Sequence, residues 1–463
     1  MATMVFIMCF LVFMLATLGC AEKSLYEEIN VLKEFEDWEA EEGDGVEVLD
    51  LPSFTKGRGN KVLVNVDSFG AVGDGVADDT KAFSDAWKQA CSIPRSVLLV
   101  PSEGRYLVNA TRFKGPCAGN LIVQIDGTIV APDEPKNWDP KNPRVWLVFS
   151  NLTAVSFQGQ GVIDGSGSKW WEASCKRNKS NVSIKHTKHC VLTNLSSAIK
   201  VQGLTIQNSQ QMHFTISRSD SVRITGVQVS SPEDSPNTDG IHITESTNVI
   251  LQNSKIGTGD DCVSIVNASS SIRMKNIYCG PGHGISIGSL GKDNSVAVVT
   301  KVVLDTAFLR GTTNGLRIKT WQGGSGYVRA IRFQNVMMED VSNPIIIDQF
   351  YCDSPTTCQN QTSAVEISEV VYRNITGTSK SQKAMQFACS NSVPCTNIVL
   401  NNINLETRDG TAEVYCNSAT GIGYGYIHPS AECLDSSDKE IEQGTRAELA
   451  EENEERRLIH TEL

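Results

Sequence analysis

Little in this chain favours helix, redox chemistry or metal binding. Histidine is scarce, at 7 residues in 463, which speaks against a histidine-rich metal centre. No Cys-x-x-Cys occurs among the 14 cysteines, so the usual zinc and thioredoxin-like patterns are missing. Gly323-Gly324-Ser325-Gly326 lacks the Lys-Ser/Thr of a phosphate loop, and Gly70-Ala71-Val72-Gly73-Asp74-Gly75 is no dinucleotide fingerprint. No Ser-His-Asp spacing and no nucleic-acid motif stand out. The apolar run Val5–Leu18 is short for a membrane span.

That run is followed by the small residues Gly19-Cys20-Ala21, so residues 1–21 read as a secretory signal peptide, though with an uncharged start. Its removal takes away Cys9 and Cys20 and leaves an even 12 cysteines. In a secreted chain these are expected to pair, and the near neighbours Cys352/Cys358, Cys389/Cys395 and Cys416/Cys433 are the plausible partners. Eight Asn-x-Ser/Thr triplets, including those at Asn109, Asn181, Asn267 and Asn374, suit an extracellular glycoprotein. After the signal the expected organisation has three parts: an acidic prosegment or flexible extension over 22–60, a folded body over 61–434 and an acidic tail over 435–463. Residues 22–50 hold 12 acids against 2 bases and residues 435–463 hold 10 against 4. The net charge of −12 therefore leaves a central part near +4, compatible with a polyanionic partner. No membrane association is expected after signal removal, and the protein is expected to be a monomer.

Within the body, residues 79–91 read as an amphipathic helix. Asp78 or Asp79 caps it, and Ala82, Phe83, Ala86, Trp87 and Ala90 form one face. Such a helix can cover the open end of a strand stack. The rest is repetitive. The pattern apolar-x-apolar-x-Gly/Asn recurs from Val155, Ile199, Val222, Val249, Ile272, Val302, Ile331, Val370 and Ile398, at later intervals of 23 to 39 residues. No long helix separates these strands. A β-sandwich or propeller needs hairpins or four-stranded blades, which fit poorly. The pattern predicts an all-β fold: a single-stranded right-handed parallel β-helix of about ten coils with a short N-terminal capping helix.

Asp239, Asp261 and His283 fall 22 residues apart, each just ahead of an alternating strand. One coil per interval stacks the three in a column roughly 4.8 Å per step. Ile241/Ile243, Val263/Ile265, Ile285/Ile287 and Leu316/Ile318 are then predicted to point inward, with His242, Ser264, Ser286, Arg317 and Lys319 on the outer face. Asp260 lies beside Asp261. Two carboxylates about 5 Å apart interact by about 3 kcal/mol at an effective dielectric near 20, enough to raise one pKa by about two units. One carboxyl then stays protonated while another is ionised, the division of labour that glycoside hydrolysis requires. The glycines around His283 are read as stripping cover from it so that a ligand can approach. Arg317 and Lys319 suit recognition of substrate carboxylates, and they would repel a metal cation.

The motifs Ser235-Pro236-Asn237-Thr238-Asp239-Gly240, Gly259-Asp260-Asp261-Cys262, Cys279-Gly280-Pro281-Gly282-His283-Gly284 and Arg317-Ile318-Lys319 are present in this order. On them, from about Val62 to Cys433, the chain resembles the plant polygalacturonases, pectin-hydrolysing members of a parallel β-helix glycoside hydrolase family. The resemblance implies inverting hydrolysis of α-1,4-linked galacturonic acid in pectin, outside the cell in the wall, in cell-wall loosening. It implies Asp260 as general acid, Asp239 and Asp261 as activators of water, and His283 as support for the acid's protonation. Arg317 and Lys319 are implied to bind the galacturonate carboxylate and Asn237 and Tyr351 to line the cleft, with no metal or cofactor. Tyr351 rests on a looser match, Gln349-Phe350-Tyr351. The prosegment resemblance favours endo over exo action. A pectate or pectin lyase, a rhamnogalacturonan hydrolase and a non-catalytic pectin-binding β-helix are the competing readings.

Overall fold

The computed structural model describes residues 61–138, 145–174, 176, 189–354, 357–408 and 410–435. The expected signal peptide, the segment 22–60, the tail from residue 436 onward and Cys175 lie outside the described residues.

Each strand pairs in parallel with its counterpart one coil further along. The repeat read from the sequence is the register itself. Ile199, Val222, Val249, Ile272, Val302, Ile331, Val370 and Ile398 align in one row across successive strands. All eight are essentially inaccessible, because period-2 alternation sends one side of every strand into the coil interior. The architecture is the expected parallel β-helix. A row of 11 strands forms one long sheet, against about ten coils expected. The longest interval, 39 residues from Ile331 to Val370, comes from a loop outside the stack between the strands Asn343–Tyr351 and Glu366–Ser379.

The coil has one more strand than the repeat suggested. Asp220–Thr225 and Gln228–Ser230 are separate strands that pair with the two ends of one long strand, Thr247–Gly257. The long strand thus turns a corner within itself. The corner falls at the Gly/Asn position of the repeat: Asn253, Asn276, Asn335, Asn374 and Asn402 all have φ between 51° and 56°. Asparagine tolerates this left-handed conformation better than other side chains. It also stacks. Asn276 donates to Asn253, Asn374 to Asn335 and Asn402 to Asn374, at 2.8 to 3.3 Å, and Asn335 donates to Asp305 at 2.7 Å.

The early helix spans Thr80–Ser92 and buries Ala82, Phe83, Ala86, Trp87, Ala90 and Cys91. It packs on the strands Val62–Asn65, Ser96–Val100 and Thr111–Lys114. Asp79 does not cap it through its side chain. Its carboxylate instead accepts from the amides of Val72 and Gly73, pinning the glycine turn, while Asp78 accepts from the Thr80 amide at 3.0 Å. Among the described residues five disulfides form: Cys91–Cys117, Cys262–Cys279, Cys352–Cys358, Cys389–Cys395 and Cys416–Cys433. The last three are the near-neighbour pairs expected from spacing.

Candidate active site

Five neighbouring strands of the 11-stranded sheet build the site: Ile241–Thr244, Val263–Ile265, Ile285–Leu290, Asn314–Trp321 and Asn343–Tyr351. Ile241, Val263, Ile285 and Leu316 share one register position, and Ile243, Ile265, Ile287 and Ile318 another. All eight have no accessible surface. Between them His242, Ser264, Ser286 and Arg317 align on the outer face. Asp239, Asp260, Asp261 and His283 immediately precede these strands, so the turn entering each coil delivers a titratable group to the same wall. The Cys262–Cys279 bridge ties the residue after Asp261 to the loop that leads into His283.

Asp261 is buried and doubly neutralised. Arg317 Nη2 lies 2.6 Å from its Oδ1 and Lys319 Nζ 2.8 Å from its Oδ2. Ser286 donates to Oδ1 at 2.8 Å and accepts from Arg317 Nε at 3.0 Å. Burial alone pushes the Asp261 carboxyl up, but Lys319 and Arg317 outweigh it and hold the group down to about 2. Asp239 is also buried, but among the described residues no lysine or arginine pairs with it. Ser264 donates to its Oδ2 at 2.7 Å, and His242 Nδ1 stands 3.7 Å from the same oxygen. Burial raises the Asp239 pKa above its ordinary value, the Asp260 charge adds to this, and the His242 contact opposes it. Two carboxyls one coil apart are thus driven in opposite directions.

Asp260 faces the cavity between them. Its Oδ2 accepts from Asn237 Nδ2 at 3.2 Å, and its Oδ1 accepts from the Asp261 amide at 2.8 Å. His283 Nδ1 lies 3.0 Å from the same Oδ1. This bond raises the His283 pKa above the ordinary 6.5, against the opposing pull of burial. The glycines beside His283 have a different reason from the one expected. A Cβ at Gly284 would meet the Asn314 carbonyl at 2.1 Å, and one at Gly282 the Asp260 carbonyl at 2.7 Å. They are small because the neighbouring backbone presses on them.

All eight site residues expected from the sequence line one cavity of about 350 Å³: Asn237, Asp239, Asp260, Asp261, His283, Arg317, Lys319 and Tyr351. Lys319 Nζ sits 5.3 Å from the Tyr351 ring centroid, and Trp321 packs edge-on against that ring at 5.4 Å. Burial, with the Asp353 charge, pushes the Tyr351 hydroxyl up to about 12. Sequence reasoning placed Ser264, Ser286 and His242 on this face without assigning them a part. Their register positions were the available signal: Ser264 and Ser286 each lie one coil from the aspartate they contact, and His242 lies three residues after Asp239. It missed His213, a fully buried imidazole whose Nδ1 lies 3.0 Å from the Asp239 carbonyl. It also missed the Lys176–Asp353 ion pair at 2.6 Å, whose partners both line the cavity though 177 residues apart.

Atoms of Asp260, Asp261 and His283 lie within 4.8 Å of one another, close enough to hold a metal ion. The donor set fits one poorly, because Asp261 already carries a cation on each oxygen.

Clustered carboxyls on the outer wall of a parallel β-helix, two of them shifted in opposite directions, fit a glycoside hydrolase, and the family match shows that class. The chain belongs to glycosyl hydrolases family 28, whose model matches residues 91–427. It is 46% identical over 388 residues to a probable polygalacturonase of Arabidopsis thaliana, covering 83% of this chain and 87% of that protein. It is 48% identical over 347 residues to a polygalacturonase of Persea americana, covering 75% and 74%. Among solved structures, the endo-xylogalacturonan hydrolase of Aspergillus tubingensis superposes with a TM-score of 0.67 at 21% identity, covering 79% of this chain and all of that one. The polygalacturonase of Erwinia carotovora gives 0.64 at 22%, covering 80% and 99%. At these identities the structural likeness bears on the fold.

Proposed function

We propose that the protein hydrolyses α-1,4 bonds between galacturonic acid residues of polygalacturonate, with inversion and by internal cleavage, in the cell wall. The observation that carries the chemistry is the opposite tuning of Asp239 and Asp261 around Asp260. Asp260 is the general acid. The proton it gives to the leaving oxygen is shared with His283 across the 3.0 Å contact. Asp239 and Asp261 flank the attacking water. Asp261 stays ionised and orients it, and Asp239, with the higher pKa, is the better acceptor for its proton. Arg317 and Lys319 each spend only part of their donors on Asp261 and Ser286. The remaining donors grip a galacturonate carboxylate, with Tyr351 beneath the sugar and Asn237 holding Asp260. The relatives' names as polygalacturonases support this substrate.

One observation favours a second reading. Ligand atoms of Asp260 and Asp261 lie within 4.8 Å of each other, close enough to raise a retaining reaction in which one carboxyl is the nucleophile. A nucleophile needs a free oxygen, however, and both Asp261 oxygens are bonded to cations. Proton NMR of the first product distinguishes the two: inversion releases the β-anomer from an α-linkage, and initial α-anomer contradicts it. Elimination by a lyase needs a base on the sugar's C5 proton, and Arg317 acts here as a donor, paired with the Asp261 carboxylate at 2.6 Å.

Export is part of the same reading. It is supported by the apolar Val5–Leu18 run and the disulfides. The secreted protein is expected to lack residues 1–21, and an intact start at Met1 on the extracellular protein would contradict that.

A further inference from the structure

The outward row that carries the site does not stop at Arg317. In register it continues from Arg317 to Ile346, Gln386 and Tyr415, the last on the strand Glu413–Asn417. Inward neighbours along these strands, Ile345, Ile347, Met385 and Phe387, are buried, so the row keeps to the outer face. Three coil rises separate Arg317 from Tyr415, roughly 14 Å at about 4.8 Å per coil. At that point Lys383 places its ammonium 5.3 Å from the Tyr415 ring centroid. The same device stands at the cavity, where Lys319 lies 5.3 Å from the Tyr351 ring.

Lys383 and Tyr415 are open to solvent, with Tyr415 42% exposed. Glu413 lies opposite Lys383 in the register, yet the ammonium rests over the ring rather than on that carboxylate. Among the described residues, then, the pair offers a charge not spent on an acid and an aromatic face for a sugar ring. Between the two Lys–Tyr pairs the outer face presents Ile346, Asp348, Gln386 and the 40% exposed Phe350, and burial raises the Asp348 carboxyl above its ordinary pKa. Resting on the polygalacturonate reading, we propose that Lys383 and Tyr415 form a remote subsite for a uronate residue of the same polymer. Tyr415 stacks on the sugar and Lys383 binds its carboxylate. The subsite holds a long chain along the groove and is out of reach of a short oligomer seated at Arg317 and Lys319.

Lys383→Ala and Tyr415→Ala, with Lys383→Arg and Tyr415→Phe as conservative counterparts, test this through KM for long polygalacturonate and for trigalacturonate. The alanine variants are expected to raise the polymer-to-trimer KM ratio about three- to tenfold. Tyr415→Phe and Lys383→Arg keep the ratio near the wild-type value. An unchanged ratio in both alanine variants, or a KM increase shared equally by both substrates, overturns the subsite. Wild-type turnover of trigalacturonate reports separately on the reading beneath it: a wild type that hydrolyses neither substrate sinks that reading and the subsite with it.

Discussion

Asp261 has an oxygen against each of two cations, Arg317 at 2.6 Å and Lys319 at 2.8 Å, whereas among the described residues the Asp239 carboxyl meets only Ser264 and His242. That contrast predicts a pH profile. A raised carboxyl pKa means Asp239 takes up its proton before an ordinary aspartate as pH falls, so the acid limb of kcat/KM lies above 3.8. The raised His283 pKa means the proton shared with Asp260 persists above 6.5, and the alkaline limb lies beyond that value. His283→Gln is expected to displace the alkaline limb and leave the acid limb in place. An alkaline limb that stays put in that variant contradicts the role given to His283. Stability follows a separate sign. The folded Asp261 pKa of about 2 is depressed, so its ion pairs stabilise above the unfolded value of about 3.9, and that contribution is lost as pH falls between about 4 and 2. Burial without a cation has the opposite effect at Asp239: its raised pKa favours the fold below about 3.9, and this advantage is lost as pH rises through the folded value.

Along the strands, the corner asparagines convert a repeated residue type into a repeated bend. Asn335 combines φ of 56° with a donation to Asp305 and acceptance from Asn374. Asn335→Ala should cost about 1 to 2 kcal/mol, because alanine resists the left-handed conformation. Asn335→Gly should cost less, since glycine keeps the bend and loses only exposed hydrogen bonds. Equilibrium denaturation checks this, and an equal loss in both variants would place the effect in the ladder rather than the bend. The same asparagines made the fold legible: Val249-x-Leu251-x-Asn253 and its counterparts carry both the inward alternation and the corner. The separate short strand was not legible, because Gln228–Ser230 is too short to show a period. Nor was the committed state of Asp79, whose use as a turn clamp depends on the fold returning Val72 and Gly73 to its side. At the site, equal spacing exposed Asp239, Asp261 and His283, because one coil there is one interval. Lys176 and Asp353 follow no period, and only the folded chain brings them together.

For the whole molecule, the sequence reading separates a body near +4 from acidic ends, and the groove's cations lie on that body. A polyanion drawn to such a groove is screened by salt: the Debye length falls from about 30 Å at 0.01 M to about 8 Å at 0.15 M. KM for polygalacturonate is therefore expected to rise several-fold over that range with kcat little changed. A salt-independent KM would contradict attraction by this face. The central claim is hydrolysis with Asp260 as proton donor, and one digest tests it most directly. Polygalacturonate is incubated with wild type and with Asp260→Asn, and reducing ends and the ultraviolet absorbance of unsaturated ends are followed together. The account predicts reducing ends without unsaturation from wild type. It predicts a loss of about 10² to 10⁴-fold in the variant, whose melting temperature stays close to wild type. Unsaturated ends from wild type, or near-normal turnover by a folded Asp260→Asn, would contradict it.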